Sequence, residues 1–200
     1  LFTDNPDMVH IVTRLLAIDI ILEVGLSVTC GSDLHLLGGY IPAMRAGDVL
    51  GHEFMGTVAE VGPGVTKHRV GDRVVVPFTI CCGECEQCRR GNFSVCETTN
   101  RKKHLADKVF GHATAGLFGY THLYGGVPGG QAEYLRVPQA QFTHIKVPEG
   151  PADDRFVYLS DVLPTAWQAV EYAAVPDGGT LVVLGLGPIG DMATRIALHR

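Results

Sequence analysis

No run of apolar residues in this sequence is long and uninterrupted enough to span a bilayer. The most apolar early stretch, Leu15 to Leu26, is broken by Asp19 and Glu23 and lacks the small-residue cleavage site of a signal peptide. It reads as a buried strand. A basic surface is missing too. The 16 Lys and Arg are scattered and outnumbered by 21 Asp and Glu, for a net charge of -5. That removes the electrostatic basis for nucleic-acid binding. Internal repeats and low-complexity tracts are absent. Nor are the six cysteines spread as a disulfide scaffold would spread them. Cys81, Cys82, Cys85, Cys88 and Cys96 crowd together and leave Cys30 alone. Crowding at two-residue gaps indicates metal ligation in a reducing compartment, so a cytoplasmic protein is expected, with neither nucleic acid nor membrane as partner.

What is present is an ordinary globular composition, 46% hydrophobic and 18% charged, with 25 glycines that imply many turns. The 200 residues suffice for one domain and part of another. The chain starts at Leu1 and stops at Arg200 within a helical pattern, so a piece of a longer protein is expected. From Ile20 to Val76 short strands alternate with glycine turns: Ile20 to Val24, Phe54 to Val61 and Arg73 to Pro77. Residues 112–130 are loop-like, and Gln131 to Val137 and Phe142 to Val147 add strands. The character changes near Asp161. Pro164 to Ala174 has helical spacing, Thr180 to Leu184 is a continuous apolar strand, and a helix follows from Ile189 to His199. Strand, glycine turn and helix open a parallel α/β unit. The expected division is a β-rich domain over 1–155 and the start of an α/β domain over 156–200.

Cys82-x2-Cys85-x2-Cys88-x7-Cys96 offers four thiolates within one short loop, and Gly83 relieves its tight backbone. Zinc in structural sites takes four tetrahedral ligands, and sulfur suits it. A closed four-sulfur shell leaves no place for substrate, which assigns this site to structure. Free or disulfide-bonded cysteines are one alternative. An iron–sulfur cluster is another, although the ferredoxin run has a different last gap followed by proline. Cys81 is the spare thiol. A second constellation, Cys30-Gly31-Ser32-Asp33-Leu34-His35 followed by Gly51-His52-Glu53, supplies soft and borderline ligands to one zinc. It leaves room for a third protein ligand and an open position, as a catalytic zinc requires.

Taken in order, Cys-Gly-Ser-Asp-x-His, Gly-His-Glu-x-x-Gly ending in Val61-Gly62, and the four-cysteine lobe resemble the medium-chain zinc-dependent alcohol dehydrogenase family, from about Asp19 to Arg200. The resemblance implies a GroES-like catalytic domain followed by the start of a Rossmann domain. It implies that Cys30 and His52 ligate zinc, that Ser32 takes the alcohol proton, and that His35 passes it towards solvent. Asp33 would support His52, Glu53 would be a neighbour or alternate ligand, and Phe78 would wall the substrate pocket. The family usually places a cysteine as third ligand; here Leu159-Ser160-Asp161 puts Asp161 there, most like the glutathione-independent formaldehyde dehydrogenase branch. The other reading of Asp161 is a helix cap, with Glu53 completing the metal shell. Residues 1–18, with Arg14-Leu15-Leu16, depart from the family's usual start.

Gly185-Leu186-Gly187-Pro188-Ile189-Gly190 lies between an apolar strand pattern and a helical one. Its glycines would let a pyrophosphate approach the helix N-terminus. By resemblance, Thr165 lies near the nicotinamide. The expected cofactors are therefore two zincs, one catalytic and one structural, and NAD or NADP. The expected function is hydride transfer between NAD(P) and a small alcohol or aldehyde hydrate, with the zinc polarising the substrate oxygen. A homo-oligomer is expected for the full-length form. A chain ending at Arg200 is expected to have little or no activity, which leaves a non-catalytic zinc-binding truncation as the alternative. A zinc-free quinone-reductase relative would lack both metal motifs.

Overall fold

A computed structural model describes residues 19–200; the atypical segment 1–18 lies outside the described residues. Alternating apolar residues drive most of the chain into one antiparallel sheet. Strands β1 (Ile20–Val28), β2 (Glu53–Val61), β3 (Arg73–Val76), β6 (Tyr134–Val137) and β7 (Ile145–Lys146) lie in the order β6-β1-β2-β3-β7. A second, two-stranded sheet joins β4 (Thr79–Ile80) to β5 (Gly116–Leu117). The strand period of two divides the buried residues between the faces. Phe54, Val74 and Val76 join Ile20, Leu22 and Phe118 on one face. Met55 and Val75 join Val147 and Val157 on the other. Burying each such side chain contributes about 1.5–3 kcal/mol, so the sheet is the rigid body that everything else hangs on.

The second face matters for function. It seats the 3₁₀ turn Val157–Ser160, and Phe78 N–H donates to Ser160 O at 3.3 Å. Asp161, the next residue, is thereby fixed to the β sheet before helix α4 (Val162–Ala173) departs. Helix α1 (Gly31–Leu37) follows β1 directly, and its N-cap is Cys30. The excursion between Cys81 and Cys96 forms helix α2 (Glu86–Arg89) and a 3₁₀ turn. Helix α3 (Lys103–Phe110) links this lobe to the return strands. Helix α5 (Pro188–His199) packs on α4 through Ala166, Val170, Ala193 and Ile196.

Several expectations need correction. Thr180 to Leu184 pairs with no strand among the described residues, and Leu184 is 93% exposed. An apolar strand pattern becomes a strand only where a neighbour completes its ladder. The stretch 112–130 is not all loop: it contributes β5 and the 3₁₀ turn His122–Tyr124. The strands expected over Gln131 to Val137 and Phe142 to Val147 shorten to Tyr134–Val137 and Ile145–Lys146, the residues that find partners in β1 and β3. No helix among the described residues is long and apolar enough to cross a membrane.

Two candidate metal centres

The four-cysteine lobe buries little apolar surface of its own. Its cluster consists of Cys81, Cys88, Cys96 and Ala115, with Cys82 and Cys85 beside them, while Phe93 is exposed. Four sulfurs nevertheless converge. Cys82–Cys88 and Cys85–Cys96 are 3.9 Å apart and Cys96–Cys82 3.6 Å. These are not disulfides, whose sulfurs approach to about 2.0 Å. A tetrahedron with zinc–sulfur bonds of about 2.3 Å has edges of about 3.8 Å. The lobe matches that figure, and the thiols are spaced for one ion rather than for a larger iron–sulfur cluster.

Backbone amides of Glu84 and Cys85 donate to Cys82 Sγ at 3.4 and 3.3 Å. Burial opposes ionisation of Cys96, but hydrogen bonds from Thr98 hold its pKa down at about 6. Gly83 has φ +77° and faces Phe142, whose Cδ2 would lie 2.5 Å from any added Cβ. Cys81 stands outside the cluster. Its thiol is turned to Thr79 O and Phe93 O, and burial pushes its pKa up to about 12. Cys82 is therefore the first member of the set.

The second centre is built from three separate elements. Cys30 lies two residues beyond β1 as the N-cap of α1, His52 immediately precedes β2 and Glu53 opens it, and Asp161 follows the 3₁₀ turn. One donor atom from each lies within 4.8 Å of the others. Asp33, on the first turn of α1 and only 2% exposed, ties two of them together. Its Oδ1 lies 3.0 Å from His52 Nδ1, and its Oδ2 accepts from Cys30 N–H at 3.0 Å. With Nδ1 donating to Asp33, His52 turns Nε2 towards Ser32 Oγ at 3.2 Å and Asp161 Oδ2 at 3.5 Å.

Asp161 occupies the N-cap position of α4 but makes no side-chain cap hydrogen bond. Its other oxygen accepts from Thr165 Oγ1 at 2.7 Å. The carboxylate thus faces the donor cluster rather than the helix amides. Thr165, expected near the nicotinamide, has its hydroxyl on this carboxylate.

The electrostatics favour a cation. Burial works against a charge on His52, but Asp161 and then Asp33 outweigh it and raise its pKa to about 10. Burial, then the charge of Asp161, pushes the Glu53 carboxyl up. Asp161 stays below the usual carboxylate range because His52 and Thr165 overcome its burial. One sulfur, one imidazole and two carboxylates form a donor set that suits zinc.

Two cavities meet at these donors. A cleft of about 820 Å³ is lined by Cys30 and Glu53 and also by Gly185, Gly187, Pro188, Ile189 and Gly190. A smaller cavity of about 200 Å³ is lined by Ser32, His52 and Asp161 and walled by Phe78, Tyr120 and Tyr124. The glycine turn leads into α5 with Gly187 as N-cap and Pro188 in the first turn. A Cβ on Gly190 would meet Gly185 O at 1.9 Å, so this approach tolerates only glycine. The structure places Ser32 on His52. His35, one turn on, is exposed and sets its ring edge against Tyr40. Sequence reasoning passed over Tyr120 and Tyr124, which carry no motif and lie in the stretch taken for loop.

The profile of the alcohol dehydrogenase GroES-like domain family matches residues 17–149. An uncharacterized zinc-type alcohol dehydrogenase-like protein, AdhB of Bacillus subtilis, is 45% identical over 179 residues, covering 88% of this chain and 45% of that protein. The glutathione-independent formaldehyde dehydrogenase of Pseudomonas aeruginosa is 39% identical over 182 residues, covering 89% and 43%. Among solved structures, the alcohol dehydrogenase TADH from Thermus sp. ATN1 superposes with a TM-score of 0.79 at 38% identity, covering 93% of this chain and 49% of that one. The chain thus spans just under half the length of these relatives.

Proposed function

The chain belongs to the zinc-type alcohol dehydrogenases through their GroES-like domain, and on that premise we propose that it is the zinc-binding half of an oxidoreductase moving a hydride between NAD(P) and a small alcohol or aldehyde hydrate. The observation that carries this reading is the position of the Cys30, His52 and Asp161 donors, with Glu53 beside them, where a nucleotide-sized cleft meets a small aromatic cavity. The proposed division is residues 1–155 for the catalytic domain and 156–200 for the start of the nucleotide-binding domain.

Cys30, His52 and Asp161 would hold the catalytic zinc, with Glu53 as alternate ligand, and Cys82, Cys85, Cys88 and Cys96 the structural one. A zinc at the first centre supplies Lewis acidity to the substrate oxygen. NAD or NADP supplies the hydride acceptor. The chain's own residues do the rest. Asp33 fixes the His52 tautomer so that Nε2 presents its lone pair. Ser32 Oγ, beside that nitrogen, is placed to take the substrate proton. His35, exposed one helical turn away, is the route from there to solvent. The turn Gly185 to Gly190 and the α5 N-terminus would hold the pyrophosphate, and Thr165, whose hydroxyl orients Asp161, would lie near the nicotinamide.

Formaldehyde hydrate fits the small cavity and the Leu159-Ser160-Asp161 segment. The unbridged thiols fit a reducing, cytoplasmic setting, and a homo-oligomer is part of the same proposal for the full-length form.

The test is a chimera in which this chain replaces the matching half of the Bacillus subtilis relative. Reduction of NAD or NADP is then followed with short alcohols and formaldehyde. Turnover that is lost with His52→Ala supports the reading. Turnover indifferent to that change, or none in a folded, zinc-loaded chimera, overturns it.

A further inference from the structure

The small cavity owes its size to a turn that no motif marks. Tyr120 sets its ring edge-on to His52 at 5.8 Å, and Tyr124 sets its own edge-on to Tyr120 at 5.5 Å. Phe78 also lines the cavity, its ring 6.0 Å from the same imidazole. The cavity volume of about 200 Å³ is below the roughly 300 Å³ at which pockets for drug-sized ligands begin.

Two remote segments and one contact within the turn itself hold it in place. His122 N–H donates to Ala43 O at 3.1 Å. Asn100 Nδ2 donates to Leu123 O at 3.0 Å. Thr121, fully buried, accepts from Leu123 N–H at 3.2 Å. The His122 side chain is the link between the two segments. Its Nε2 lies 3.0 Å from Asp48 Oδ1, its Nδ1 meets Lys102 Nζ, and the second Asp48 oxygen accepts from Arg45 N–H at 2.7 Å. An ammonium on one side and a carboxylate on the other assign the tautomer. Nδ1 accepts from Lys102, and Nε2–H donates to Asp48.

We propose that the Tyr120–Tyr124 turn sets the size limit of the substrate, and that His122, clasped between Asp48 and Lys102, is the positioning residue that holds this wall in place. The inference rests on the reading that the substrate oxygen sits beside Cys30, His52 and Asp161. It adds the residues that decide which substrates reach them. His122 is absent from the cavity lining, so its effect on size selection can only pass through the turn.

The test uses the chain loaded with cobalt(II) and titrated with alkanethiols from methanethiol to hexanethiol, the sulfur analogues of primary alcohols. Binding is read from the thiolate-to-cobalt absorption of the Cys30 centre. In the parent, affinity should rise roughly fourfold per methylene while the cavity has room and then stop rising. Tyr124→Ala should carry the rise to longer chains, tightening hexanethiol about tenfold or more. Should Tyr124→Ala lose the four-thiolate cobalt band, and so its fold, Tyr124→Leu takes its place. His122→Ala should extend the length profile in the same way. His122→Gln, whose amide can still accept from Lys102 and donate to Asp48, should restore the parent cut-off. A profile unchanged by the Tyr124 substitutions, or a parent cut-off retained in His122→Ala, overturns the proposal. Failure of the underlying reading looks different: thiols would then leave the cobalt spectrum of the parent itself unaltered.

Discussion

Replacing Asp33 with Asn removes a charge but almost no volume, and its consequences follow from hydrogen-bond inventory. Both Asp33 oxygens accept: Oδ1 from His52 Nδ1–H and Oδ2 from Cys30 N–H, each at 3.0 Å. An asparagine has one acceptor oxygen and one amino group. Whichever way it turns, its amino group must face an N–H donor at a site only 2% exposed. If it faces Cys30, a buried backbone donor loses its partner, at about 1–3 kcal/mol. If it faces His52, the imidazole moves its proton to Nε2 and withdraws the lone pair from the metal side.

Loss of such a supporting partner typically weakens a metal site 10- to 100-fold, or about 1.4–2.7 kcal/mol. Competition with a chromophoric chelator reads this directly, because the four-cysteine zinc serves as an internal reference. The expected outcome is one tight zinc unchanged and one zinc 10- to 100-fold weaker. Two unchanged zincs, or parallel weakening of both, would refute the reasoning.

Cys85→Ser should remove the lobe zinc and lower stability by several kcal/mol, since the lobe has almost no apolar core to replace it; the second zinc should remain. Metal analysis with chemical denaturation checks both halves. Asp161→Ser removes no cap hydrogen bond, since the carboxylate makes none, and should weaken the second zinc while leaving the lobe zinc unchanged; retention of both zincs would take Asp161 out of the ligand set. His68 and His144 stack at 5.9 Å with both rings buried. Burial holds His144 down at about 3, and burial with Lys67 depresses His68. Both folded-state values lie below the unfolded value of about 6.5. Their contribution is therefore complete above pH ~6.5 and declines below it; for His144 the decline is about 1.4 kcal/mol per pH unit, and His68 adds to it in the same direction. Denaturant unfolding between neutral and acid pH should show this slope, and His144→Phe should remove close to one proton from it. An unchanged slope would show that His144 titrates normally.

The strands were legible because apolar alternation and glycine turns are local signals, and the sheet confirmed them over β1, β2 and β3. Both clusters of metal-type side chains were legible from spacing, since residue types such as Cys82, Cys85 and Cys88 have few other reasons to recur. Helix α1 was hidden because Cys30 to His35 draws attention as chemistry, although Leu34 and Leu37 are exposed and mark no helical core face. Helix α3 was hidden because only Ala106 of its residues is buried, while Val109 and Phe110 are exposed and mark no core face. The orientation of the Asp161 carboxylate depends on Val157–Ser160 packing under the sheet, and no local pattern encodes that. Nor does sequence distance reveal that Tyr120 meets His52. The apolar run from Thr180 to Leu184 shows the converse: its pattern is that of a strand, but the ladder that makes a strand is not among the described residues.

The central claim is that Cys30, His52 and Asp161 hold a metal separate from the four-cysteine ion. Anomalous diffraction at the zinc absorption edge, from crystals of the zinc-loaded chain, tests it most directly. The expected map has two peaks, one within the four sulfurs of Cys82, Cys85, Cys88 and Cys96 and one bonded to Cys30 Sγ, His52 Nε2 and an Asp161 carboxylate oxygen. A single peak in the cysteine lobe, or a second peak that leaves Asp161 unbound, would contradict it.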